Sequence, residues 1–177
     1  MLSYNVHMDQ TNPIPIDDDF RVKTLHLLKC LDTPNDARLD LITAFAAREF
    51  DVPICLIALI DKHRQWCKSV YGGIEKEIPR KISFCTHAIY QVSSSYPFDR
   101  VFEVTNAEED ERFANNPLVI DDPNIKSYIA FVLQSKTGMN LGTLCLIDNK
   151  PRKYSGEEIF SLVTIGKIAE DVINHVS

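Results

Sequence analysis

Two consecutive runs late in the chain, Tyr128–Leu133 and Leu141–Ile147, are apolar at both alternating sets of positions. In the first run Tyr128, Ala130 and Val132 alternate with Ile129, Phe131 and Leu133; in the second Leu141, Thr143, Cys145 and Ile147 alternate with Leu144 and Leu146. A strand that is apolar on both faces must be covered on both, so these runs predict two central strands of one sheet. The polar stretch Ser135–Asn140, with Gly138, suits the hairpin loop between them. Ile54–Ile60 is another continuous apolar run, and Gln65–Tyr71 returns after the turn Asp61–Arg64, which predicts a second hairpin beside the first. Val101–Val104 is a further short strand.

Helical spacing occupies the remainder. Phe20–Leu31 places Val22, Leu25, Leu28 and Leu31 on one side. Pro34–Phe50 follows, with Thr33 as its expected cap and Pro34 at the first helical position. Ile82–Val92 reads as a helix capped by Ser83, and Asn106–Arg112 as one acidic helical turn. Ser155 and Glu158 form a capping box ahead of a stripe running from Ile159 to Val176. Residues 1–18 are polar, with Pro13 and Pro15, and read as a flexible arm; 19–177 read as one domain. The class is α+β: an antiparallel sheet of about five to six strands flanked by helices on both faces.

Composition narrows the functions. The chain has 177 residues, 45% hydrophobic and 25% charged, with a formal net charge of -6. That acidic balance, without a basic stripe, argues against a nucleic-acid partner. No apolar run approaches the roughly 20 residues of a membrane-spanning helix, and no stretch reads as a signal peptide. The five cysteines are odd in number and irregularly spaced, which fits a reducing cytoplasm better than a disulfide framework.

Cys85 and His87 carry the most suggestive chemistry. Cys85 lies near a helix N-terminus, where the dipole favours a thiolate. On a regular helix, however, positions i and i+2 diverge, so the two cannot form a dyad. One short-spaced Cys/His pair does not make a four-ligand metal site, and none is expected. Cys30, Cys55 and Cys145 lie in apolar runs and read as core, whereas Cys67, beside Trp66, could face a pocket. Trp66, Phe84, Cys85, His87 and Tyr128 are the candidate ligand-binding residues, aromatic walls with a polar group. Asp110, Arg112, Asn115 and Asn116 read as a loop motif whose acid and amides satisfy backbone groups.

Taken in order, Leu31–Pro34, Phe50–Ile54, Asp61–Lys68, Ile82–Ile89, Asp110–Val119, Gly142–Asp148 and Pro151–Arg152 resemble the GAF family, the small-molecule-sensing domains of bacterial signalling proteins. The resemblance is closest to the GAF domains that precede diguanylate cyclases and histidine kinases. It implies a pocket between one sheet face and residues 82–128. It also implies a non-catalytic sensor that binds an unidentified small molecule, pairs as a homodimer through terminal helices and passes its signal to an output. Within these 177 residues no output is expected, so the domain acts in trans, its output was lost, or the output lies on a partner protein. Bilin-binding members place His directly after the Cys; Thr86 intervenes here, so no covalent bilin is expected. The cyclic-nucleotide signature of other members is missing, and no cofactor is named by the residues. Free-methionine-sulfoxide reductases share the fold and place a cysteine where Cys85 sits, which implies an alternative, a thiol-based redox enzyme or sensor. Their second reactive cysteine has no counterpart in Asp122–Tyr128. A further alternative is a degenerate domain that only dimerises or binds protein. Tyr128–Phe131 is bulkier than the family's usual aromatic-plus-small sequence, which implies a shrunken cavity.

Overall fold

The computed structural model describes residues 12–175; most of the expected arm and the last turn of the expected helical stripe, at Val176, lie outside them. In chain order the elements are α1 (Asp18–Leu27), α2 (Ala37–Glu49), β1 (Ile54–Ile60), β2 (Arg64–Tyr71), β3 (Glu77–Pro79), α3 (Phe84–Gln91), β4 (Val101–Val104), α4 (Pro117–Ile120), β5 (Ser127–Gln134), β6 (Asn140–Asp148) and α5 (Gly156–Asn174). Six strands form one antiparallel sheet in the order β3-β2-β1-β6-β5-β4. The two hairpins therefore adjoin through β1 and β6, as the apolar runs require.

The sheet separates two cores. One packs Leu56, Ala58, Cys67, Tyr128, Ala130, Val132, Cys145 and Ile147 against α3 and the segment from Phe102 to Ile125. The other packs Cys55, Ile57, Leu59, Ile129, Phe131, Leu133, Leu144 and Leu146 against α1, α2 and α5. Every residue of β1 and β5 is buried, the physical meaning of a two-sided apolar strand. Gly142 permits the central crossing, because a Cβ there would stand 1.9 Å from the Ala58 carbonyl oxygen. On the other face Gly166 lets α5 lie on Phe131, whose ring a Cβ would enter at 2.3 Å.

Some local expectations change. The cap of α2 is Asp36, which accepts from the Arg38 N–H at 2.9 Å, and the helix begins at Ala37. Thr33 is otherwise engaged: its hydroxyl donates to the Cys30 carbonyl and accepts from Lys68 Nζ at 2.6 Å. α1 starts at Asp18 and stops at Leu27, leaving Phe20 exposed. Asn106–Arg112 forms turns, and the short helix of this region is α4, capped by Asn116. The Ser155–Glu158 capping box is present as expected.

A candidate dithiol site between α3 and the sheet

Ser83 fixes the start of α3. Its Oγ accepts from the Thr86 N–H at 3.2 Å and donates to Gln65 Oε1 on β2 at 2.6 Å, so cap and sheet are tied together. Cys85, the second residue of the helix, is thereby aimed at the middle of the sheet and is 2% exposed. There its sulfur accepts the Tyr128 hydroxyl at 3.2 Å and the Thr143 hydroxyl at 3.1 Å. Cys145, on the face of β6 that Thr143 shares, is the neighbouring thiol whose hydrogen bonding does most to lower the Cys85 thiol. Tyr128, Thr143 and Cys145 come from paired central strands and point to one face, which the pairing of Tyr128 with Ile147 and Ala130 with Cys145 secures.

These donors set the electrostatics. Burial alone would raise the Cys85 thiol; hydrogen bonds from Cys145, Thr143 and Tyr128 outweigh it and hold the thiol below its ordinary value. The positive end of α3 acts in the same direction. Burial, then the hydrogen bond it gives to Cys85, pushes Cys145 well up, so the pair divides into a thiolate-prone sulfur and a protonated neighbour. Tyr128 is likewise raised, by burial and by the adjacent Cys85, which keeps its O–H a donor. Cys67 belongs to the same core but is pushed up to about 12, mainly by burial.

The expected ligand-binding residues are only partly assembled. Phe84, Cys85 and Tyr128 meet, whereas Trp66 lies in the opposite core, beneath Lys76 at 4.9 Å. Adjacent strand residues point to opposite faces, so Cys67 is on the Cys85 side and Trp66 is not. A bulge at Lys68, where Ile57 pairs with Ser69 but Ala58 with Cys67, moves Ser69 to the α2 side. His87 sits at the rim, its Nε2–H donating to Asn12 Oδ1 at 3.0 Å and its ring against Phe113. It does not reach Cys85's side of the helix, as the i, i+2 geometry requires. Burial, then the charge of Arg112, lowers the imidazole to about 4 and keeps it neutral. Asp110 accepts the backbone and guanidinium N–H groups of Arg112, and Asn116 donates to the Ile82 carbonyl, so both serve the loop.

Cys145 is buried in the core, as expected from the sequence; what the sequence reading missed is that it neighbours the Cys85 sulfur. The signal was present in the alternation of β6, which places Thr143 and Cys145 on one face, the face that meets α3. The cavity beside Cys85 is small, about 10 Å³, and is walled by Leu56, Ile78, Phe84, Leu118 and Tyr128 among others. Phe84 stacks on Phe113 at 4.1 Å and packs against Tyr128 at 5.2 Å, filling the space that a larger ligand would need. Among the described residues no group of three His, Cys, Asp or Glu could hold a metal ion, and no helix is long and apolar enough to cross a membrane.

Comparison with known proteins places this geometry. The GAF domain family model matches residues 34–173. A cyclic di-GMP phosphodiesterase of Pseudomonas aeruginosa is 37% identical over 142 residues, covering 80% of this chain but 23% of that protein. Among solved structures, a type II free methionine-R-sulfoxide reductase from Thermoplasma acidophilum superposes with a TM-score of 0.62 at 10% identity, over 86% of this chain and 96% of its own. The free methionine-R-sulfoxide reductase of Neisseria meningitidis gives 0.62 at 15% identity, over 97% and 98%. The GAF domain of an Acinetobacter phosphoenolpyruvate-protein phosphotransferase gives 0.61 at 17% identity, over 88% and 94%. The expectation of a module without catalysis is overturned at this point. The shape is as close to catalytic reductases as to a GAF domain, and it holds a hydrogen-bonded thiol beside a second thiol.

Proposed function

This chain belongs to the GAF domain family, a family of signalling and sensor domains, and from that premise we propose that it is a thiol-based redox domain centred on Cys85. The observation that carries the reading is the sulfur of Cys85 held by the hydroxyls of Tyr128 and Thr143 with Cys145 against it. Hydroxyl donors stabilise the charged form of a thiol, and the thiolate is the nucleophile. Cys85 attacks an oxidant of the peroxide or sulfoxide class and takes its oxygen as a sulfenic acid, while the oxidant leaves reduced. Cys145 then attacks the oxidised sulfur; an S–S bond forms, the S–O bond breaks, and water departs with the Cys145 proton. A dithiol reductant restores both thiols. Tyr128 and Thr143 position the attacking sulfur, and Cys67 stands by as a protonated spectator.

The chain spans 23% of the phosphodiesterase it resembles. In a protein of that kind the redox state of this domain would be read by a separate output region. Chemistry at Cys85 and control of an output are compatible uses of the same dithiol.

The test is to oxidise the reduced protein with peroxide, alkylate it and map its cysteine peptides. Wild type should yield a Cys85–Cys145 disulfide; Cys145→Ser should stop at a sulfenic acid trapped on Cys85, and Cys85→Ser should give neither. A disulfide-free wild type, or oxidation that survives Cys85→Ser unchanged, removes the proposal.

A further inference from the structure

The walls around Cys85 also define which oxidant can react, an inference that rests on the dithiol reading. We propose that the site is selective for hydrogen peroxide and excludes bulky hydroperoxides and free methionine sulfoxide. The cavity next to the sulfur measures about 10 Å³, close to the space that one water molecule needs. Its walls are mainly apolar, with Leu56, Ile78, Leu118, Ile147 and the ring of Phe84, and its polar groups are Gln65, Tyr128 and Cys85. Phe84, Ile78 and Leu118 are each about 2% exposed, so none is a loose flap that could swing into solvent to admit an amino acid. Hydrogen peroxide, scarcely larger than water, reaches a buried sulfur through small local openings of packed side chains.

The polar groups match that oxidant. Of the two hydroxyls that hold the sulfur, Tyr128 also lines the cavity, where its O–H can turn to a peroxide lying against Cys85, while Thr143 keeps its bond to the sulfur. As the O–O bond breaks, one oxygen bonds to sulfur and the other departs as hydroxide, which a hydrogen-bond donor stabilises as its charge develops. The hydroxide becomes water with the proton that the Cys85 thiol has released. By contrast, an amino-acid oxidant brings an ammonium and a carboxylate. Among the residues lining the cavity there is no ionised side chain to pair with either, and burying an unpaired charge is costly.

The experiment compares oxidants on the reduced 177-residue chain. Hydrogen peroxide, cumene hydroperoxide and free methionine sulfoxide are added to separate samples, and the Cys85–Cys145 disulfide is followed in time by alkylation and peptide mass spectrometry. Hydrogen peroxide should react roughly tenfold or more faster than cumene hydroperoxide, and methionine sulfoxide should yield neither disulfide nor methionine. Leu118→Ala, which enlarges the cavity, should narrow the gap between the two peroxides. Equal rates for both peroxides, or turnover of methionine sulfoxide, overturn the size selection and leave the dithiol standing. Failure to form the disulfide with any of the oxidants removes the selection and the dithiol together.

Discussion

At the scale of single residues, environment decides what each titratable group does. His87 and Cys85 are two positions apart on α3, yet one is a neutral rim imidazole and the other an acceptor of several hydrogen bonds. His87 faces Asn12, Phe113, Arg112 and Asp110. Its folded value is lowered from 6.5 to about 4. As pH falls below 6.5 the unfolded chain binds a proton there that the folded chain refuses until about pH 4. The unfolded state thus binds more protons in this window, so stability declines as pH drops through it and is fully retained above it. With allowance for partial exposure, the loss should be about 1 kcal/mol. Urea titrations at several pH values should show His87→Asn flattening the decline between pH 6.5 and 4. A variant with the wild-type slope would mean that His87 is protonated in the folded state.

Among the elements, α5 is fastened to the sheet by a buried ion pair. Arg100, 2% exposed, donates to Glu170 at 2.8 Å and to Gln134 Oε1 at 2.8 Å, while its guanidinium lies 4.5 Å from the centre of the Phe131 ring. Glu170 also accepts the Gln134 backbone N–H at 2.7 Å. Burial would raise the Glu170 carboxyl, but Arg100 and its other donors hold it below the usual range. Glu170→Ala strands a buried guanidinium, so it should cost about 3–5 kcal/mol in urea unfolding, with Glu170→Gln costing less. A cost under about 1 kcal/mol for the alanine variant would show that water solvates Arg100 in the native state. Neither partner was legible in the sequence, because Arg100 and Gln134 stand 34 positions apart and Gln134 and Glu170 stand 36 apart, with no local sign of their meeting. The strands and longer helices were legible because their signal is local: two-sided apolar alternation for β1, β5 and β6, and an apolar stripe with a capping box for α5. β3 and α4, three and four residues long, are too short for any period to show. Thr33 was a plausible cap that lost to Asp36 because Lys68, a residue on a distant strand, claims its hydroxyl.

For the whole molecule, the sheet is a wall shared by two cores, and the candidate site lies where α3 meets its centre. Half of that site could be read from the sequence: Cys85 from its place at a helix start, and Tyr128 from its strand. The other half, Thr143 and Cys145, required knowing which face of β6 meets α3, a question of packing between distant segments. If the dithiol closes, it ties α3 to β6 between residues sixty positions apart, and the consequence extends to global stability. Cross-linking a loop of that length removes conformational entropy from the unfolded chain worth on the order of 4 kcal/mol, less any strain in the bond. Peroxide-oxidised wild type should therefore unfold at higher urea than the reduced protein, with the increase absent in Cys145→Ser and reversed by a dithiol reductant. An oxidised form that forms the bond yet unfolds at lower urea would mean that the native packing must yield to bring the sulfurs together. In that case the disulfide is a strained, easily reduced state, suited to a reversible signal rather than to holding the fold.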